Sequence, residues 1–141
     1  MDIKSKKELG GLGENVAVEY LKEKGYSIIQ KNFRSEPGEI DIIATDKNWT
    51  IFVEVKTRTG SEYGSPQESI DFNKVDRIRK AAIAFLKDNK PEGKKSLRFD
   101  AISVIVEKNK LEKLLGQGAG SGVLAGKYKM FSSIEHIPDA F

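Results

Sequence analysis

Cysteine is absent from the 141 residues of this chain, and there is a single histidine. Without thiols there is no disulfide framework, no thiolate zinc site, no iron–sulfur cluster and no cysteine nucleophile. One histidine excludes multi-histidine metal sites such as HExxH. No apolar run approaches the roughly 18 residues that a membrane helix needs. The opening segment, MDIKSKKELGG, lacks the hydrophobic core of a signal peptide. The expectation is a cytoplasmic protein with no membrane partner. A large charge excess is missing too. Lys and Arg total 24 against 21 Asp and Glu, a net charge of +3. That permits a nucleic-acid partner without requiring one. The excess is uneven, however. Residues 73–95 hold eight Lys or Arg and three Asp or Glu, a local +5 that leaves the rest of the chain at −2. The length is that of one domain, and 38% apolar residues suit a folded one.

A first helix is expected over residues 6–24. Ser5 and Glu8 have capping-box spacing, and Leu9, Leu12, Val16 and Tyr20 form one apolar stripe. Gly25 is a suitable end. Gly10, Gly11 and Gly13 are unusual inside a helix. Either a close approach by another backbone or a frayed first turn would account for them. Strands are expected over 27–34, 39–45 and 49–58, the last richest in β-branched and aromatic residues. The polar residues Asp46, Lys47 and Asn48 make the last two a hairpin. A second helix should begin at Ser65-Pro66 with Glu68 completing a capping box, and continue amphipathically from Lys74. A buried strand over 97–106 then implies a crossover into a parallel pair. Residues 116–126 hold five of the 13 glycines, so 108–129 reads as a flexible loop. Residues 131–141 form a C-terminal tail with a short edge strand ending at Pro138.

The chemistry concentrates on the hairpin. If its turn has two loop residues, Lys47 and Asn48, strand partners sum to 95 and Asp41 lies opposite Glu54. An odd turn or a bulge would break this register. Glu54 and Lys56 share a face because side chains alternate along a strand. The other face, with Ile40, Ile42, Ile51, Val53 and Val55, is expected to be core. Two opposed carboxylates repel, and a cation between them removes the penalty. Mg²⁺ is the natural candidate, with Mn²⁺ as a substitute, held by Asp41, Glu54 and the backbone carbonyl of Val55. Such an ion would polarise a scissile phosphate, and Lys56 would orient water or stabilise developing charge. The ordinary alternative is a salt bridge of Lys56 with Glu54 or Asp41 on a solvated sheet face. Glu14, at the edge of the first helix's apolar stripe, reads either as an exposed helix residue or as a further acid at the same cluster.

Gly13-Glu14, Asn32-Phe33-Arg34, Gly38-Glu39-Ile40-Asp41 and Phe52-Val53-Glu54-Val55-Lys56-Thr57-Arg58 together resemble the PD-(D/E)XK nuclease superfamily. More closely they resemble the YraN family of predicted endonucleases, related in fold to Holliday junction resolvases. Tyr63 to Glu68, Lys74 with Arg77, Arg98-Phe99-Asp100 and the last eight residues continue the likeness. Pro37 does not directly precede the acid, so the literal "PD" is absent. The resemblance implies an α/β, restriction-endonuclease-like single domain spanning 1–141, a mixed β-sheet flanked by helices with an αβββαβ core. It implies metal ligands at Asp41 and Glu54, a catalytic lysine at Lys56 and a further acid at Glu14.

The leading expectation is therefore a metal-dependent nuclease acting on DNA, including branched DNA. Arg34 and Arg58, near strand ends, and the helical stripe Lys74, Arg77 and Lys80 are candidates for phosphate contact. A non-catalytic nucleic-acid-binding module, or a structural protein, stands as the alternative, with a homodimer left open. His136 and Asp100 read as structural, and Trp49 as a packing residue.

Overall fold

The computed structural model describes residues 5–36, 38–60, 72–90, 93 and 95–141. The first helix, α1, runs Lys6–Glu23, and the Ser5 hydroxyl accepts the Glu8 N–H at 3.1 Å. Gly25, at φ +94°, ends it in the left-handed conformation that glycine adopts freely. Strands β1 (Ser27–Ser35), β2 (Gly38–Thr45) and β3 (Trp49–Thr59) then pair antiparallel in chain order. Helix α2 (Phe72–Asp88) carries the chain over to β4 (Ser96–Val106), which pairs parallel with β3. Strand β5 (Ser132–Ile137) closes the far edge antiparallel to β4. This is the mixed sheet flanked by helices of a restriction-endonuclease-like domain.

The β2–β3 turn is fixed by Asp46. Its carboxylate accepts the N–H groups of Asn48 at 2.9 Å and Trp49 at 2.7 Å. The loop is then Lys47 and Asn48, and Ile42 faces Val53 while Thr45 faces Thr50. These are the pairs expected for a two-residue turn.

Both faces of the sheet are covered. On one, Leu12, Val16 and Leu21 of α1 pack on Ile42, Ile51, Val53, Ile102 and Val104. On the other, Ile78, Ala82 and Phe85 of α2 cover Ile43 and Phe52. Ile40 departs from expectation: it packs beneath α2 rather than beside Ile42. Lys31 faces Ile42 and Phe33 faces Ile40, so the change of face on β2 falls at Asp41. The neighbouring strand is irregular at the same level: Asn32 takes φ +52°, which breaks the two-residue alternation of β1.

The region 108–129 is not a loop. Helices α3 (Lys108–Gly116) and α4 (Ser121–Gly126) and a 3₁₀ turn (Tyr128–Met130) occupy it. Leu111, Leu114, Leu124, Tyr128 and Phe131 enter the α1-side core. That buried apolar spacing outweighs the conformational freedom of the glycines. The expected helix start at Ser65-Pro66 lies outside the described residues.

His136 and Asp100 are structural. Asp100 is fully buried and takes two Arg98 hydrogen bonds at 2.7 Å, His136 Nε2 at 2.8 Å and the Asp139 N–H at 3.0 Å. Burial alone would raise its carboxyl. The Arg98, His136 and Asp139 hydrogen bonds outweigh burial and hold it below the usual range. Trp49 stacks under Arg98, whose guanidinium carbon lies 5.0 Å from the ring centre.

The three α1 glycines divide. A Cβ on Gly13 would collide with the Thr57 side chain of β3, whereas Gly10 and Gly11 face open space. Gly13→Ala should therefore destabilise the fold by roughly 1–3 kcal/mol through overpacking. Gly10→Ala and Gly11→Ala should instead stabilise it by up to about 1 kcal/mol each. Urea denaturation of the three single variants separates the outcomes; equal effects would contradict this packing assignment.

Candidate metal and phosphate site

The candidate site forms where the β2–β3 ladder opens. The last described pair is Ile42 with Val53. One step on, the Asp41 Oδ2 accepts the Val55 N–H at 2.8 Å, and the Glu54 charge acts on the same carboxyl. A side chain thus takes the donor that the neighbouring strand's backbone would normally occupy. In a strand, one residue's N–H and C=O face the same neighbour. The Val55 carbonyl accordingly points into the same gap.

Acids gather around it. Asp41 is half-buried, and burial is the main cause that pushes its carboxyl up to about 7; the Val55 N–H opposes the shift, while Glu54, Glu14 and Glu39 add to it. Glu14 arrives from α1, held by Gly13 against Thr57. Burial raises its carboxyl as well, opposed by a hydrogen bond from the Asn32 side chain and by Lys31. Lys56 follows Glu54 on the same face. Burial lowers its ammonium below the usual lysine range, aided by Lys74 and Arg58 and opposed by Glu54. Asp41 therefore lies within electrostatic reach of Glu14 and Glu54, and Glu54 within reach of Lys56, across three elements.

The site opens into a cleft of about 950 Å³ lined by Arg34, Ser35, Glu36, Gly38, Glu39, Asp41, Glu54, Lys74, Arg77 and Ile78. Gly38 permits the cleft's tight floor, because a Cβ there would strike the Arg77 carbonyl of α2. Among the candidate phosphate contacts, Arg34, Lys74 and Arg77 line the cleft. Arg34 is exposed and lies 3.7 Å from Glu39. Arg77 donates from Nε to the Asn73 carbonyl at 3.3 Å. Lys80 stands outside the lining and pairs with Asp76 at 3.1 Å. Arg58 is placed on the Lys56 side of β3, where its charge acts on that lysine.

Two features differ from the sequence expectation. The salt bridge to Glu54 that the ordinary alternative gave to Lys56 is made by Lys74, whose Nζ contacts Glu54 Oε1. Asn32, weighed earlier only as part of a motif, orients Glu14 from its left-handed position. An asparagine inside a β-branched run is the signal for it, since Asn is enriched at positive φ.

A divalent ion fits this donor set. Among the described residues no three His, Cys, Asp or Glu side chains converge to cage an ion alone. Mg²⁺ does not require a cage: it is commonly held by one or two carboxylates, with water and substrate phosphate completing the shell. Asp41, Glu54 and the Val55 carbonyl match that pattern, and the mutual repulsion of the acids favours an added cation.

Comparison with known proteins agrees with the motifs. The sequence model of the uncharacterised protein family UPF0102 matches residues 13–104. The chain belongs to this family, the YraN family of the motif reading. A UPF0102 protein of Clostridium botulinum strain Loch Maree is 48% identical over 100 residues, covering 71% of this chain and 81% of its own. One from Rhodococcus jostii RHA1 is 44% identical over 133 residues, 94% of this chain and 95% of its own. The match to the UPF0102 model takes in Glu14, Asp41, Glu54 and Lys56.

The raised carboxyl of Asp41 has a stability consequence. Its unfolded value is near 3.8 and its folded value about 7. Folding therefore costs most when the group is charged, above pH 7, and the cost fades as pH falls toward 4. In metal-free protein at pH 8, Asp41→Asn should raise stability by on the order of a few kcal/mol, and the gain should shrink by pH 5. Thermal melts in chelator at both pH values measure this. A less stable variant at pH 8 would contradict the electrostatic picture.

Proposed function

We propose that this UPF0102 protein is a metal-dependent endonuclease that hydrolyses phosphodiester bonds in DNA, with branched or structured DNA as candidate substrates. The observation that carries the reading is the opening of the β2–β3 ladder. It brings Asp41 and Glu54 together in a cleft rimmed by Arg34, Lys74 and Arg77, with Lys56 two residues along β3 from Glu54. Partly buried acids that repel one another reduce stability, and sites of function are where such costs are retained.

In this reading Mg²⁺ or Mn²⁺, when bound, supplies electrostatic stabilisation of the phosphate as charge develops on it. Asp41, Glu54 and the Val55 carbonyl hold the ion. Lys56 orients the attacking water. Water oxygen bonds to phosphorus, the ester P–O bond breaks, and the leaving oxygen takes a proton. Glu14, held by Asn32, supports the ion or its water. Arg34 and Arg77 contact flanking phosphates, Arg suiting bidentate contact. Among the described residues no helix is long and apolar enough to cross a membrane, and cytoplasmic residence belongs to the same proposal.

The test is cleavage of junction, flap and duplex DNA with Mg²⁺ or Mn²⁺. Asp41→Asn, Glu54→Gln and Lys56→Ala should each lower the rate by at least about 10²-fold. Chelator should abolish it. Equal residual activity in wild type and all variants would identify a contaminant and remove the catalytic claim.

A further inference from the structure

Glu54 already has a cation. Lys74, third residue of α2, places its ammonium on Glu54 Oε1. The Glu54 side chain is 13% exposed and that of Lys74 38%. The contact is at the cleft wall, where Lys74 and Glu54 both line the cavity with Asp41. Neighbouring cations are directed elsewhere. Arg34 leans toward Glu39, Arg77 bonds the Asn73 carbonyl and Lys80 pairs with Asp76.

An ammonium and a divalent ion compete for the same carboxylate oxygen. Lysine suits an exchangeable role: it is a point charge on a flexible four-carbon stem, with no fork geometry to preserve. It projects from the first turn of a helix lining the cleft, so a released ammonium stays within the cavity. We propose that Lys74 is an exchangeable counter-ion: it neutralises Glu54 in the metal-free protein, yields that oxygen to an entering divalent ion, and transfers its charge to a phosphate of nucleic acid in the cleft. This rests on the reading of Asp41 and Glu54 as ion ligands and assigns Lys74 the coupling between ion loading and substrate. Ion and nucleic acid then favour each other's binding, and linkage requires the effect to be reciprocal. Lys74 is a positioning and phosphate-contacting residue in this scheme, distinct from Lys56 at the attacking water.

The test titrates Mn²⁺ into the full chain, following free Mn²⁺ by electron paramagnetic resonance, with and without a phosphorothioate duplex that resists cleavage. Without DNA, Lys74→Met should bind Mn²⁺ tighter than wild type by up to about fivefold, the scale of one partly exposed ion pair. Lys74→Arg, which keeps the charge, should stay near wild type. The duplex should tighten Mn²⁺ binding to wild type by a larger factor than it tightens binding to Lys74→Met. Salt titration of DNA binding should lose about one phosphate contact in the Met variant. Circular dichroism confirms that each variant is folded; should Lys74→Met not fold, Lys74→Gln takes its place. Wild type that binds Mn²⁺ beside a Met variant of equal or weaker affinity overturns the counter-ion role and leaves the ion site standing. No Mn²⁺ binding by wild type or by any variant overturns the ion site, and this inference with it.

Discussion

A single hydrogen bond organises the site: the Val55 N–H to Asp41 Oδ2, at 2.8 Å. Where a ladder continues, backbone donors are consumed by the next strand and side chains only decorate the faces. Here the carboxylate takes the donor, so the strands part at that level and the gap between them gains polar groups. Asp41 gives up hydration to stand there. Its raised carboxyl records that loss, and Glu14, Glu39 and Glu54 deepen it. The surrounding cations answer the same field from further out.

The opening needs support from both sides. On β1, Asn32 accepts a left-handed conformation and bonds Glu14, so one irregular residue both breaks its strand's alternation and places an acid. On α2, the backbone at Arg77 lies against Gly38, where a side chain would not fit. Apolar packing does the holding. Phe33, Ile40, Phe52, Ile78 and Phe85 form the second core directly beneath the cleft. That core follows from the strand reversal, since Ile40 reaches it only because the alternation breaks.

Much of this was legible in the sequence. The hairpin register follows from Asp46 and a two-residue polar turn, and it sets Asp41 against Glu54 before any tertiary contact is considered. The parallel crossover and the edge strand were legible for similar local reasons. The face of Ile40 was not, because alternation assumes a regular strand and β2 changes face between Ile40 and Ile42. The helices of 108–129 were hidden by glycines, although Leu111, Leu114 and Leu124 carry the burial. The Lys74–Glu54 contact was hidden for a different reason. It joins β3 to the start of α2 in space, and a helix's charged stripe does not say which member meets a neighbour.

Gly13 links the hydrophobic core to the acid cluster. Its missing side chain lets α1 settle on Thr57, and the next residue along each partner's chain is respectively Glu14 and, one step back, Lys56. The separation between that acid and that lysine is therefore a packing distance, set by atoms that take no part in chemistry. It exists only after α1 has docked on β3. The hairpin by itself holds Asp41 and Glu54 but not Glu14, so the full constellation is a property of the packed core and not of any one element.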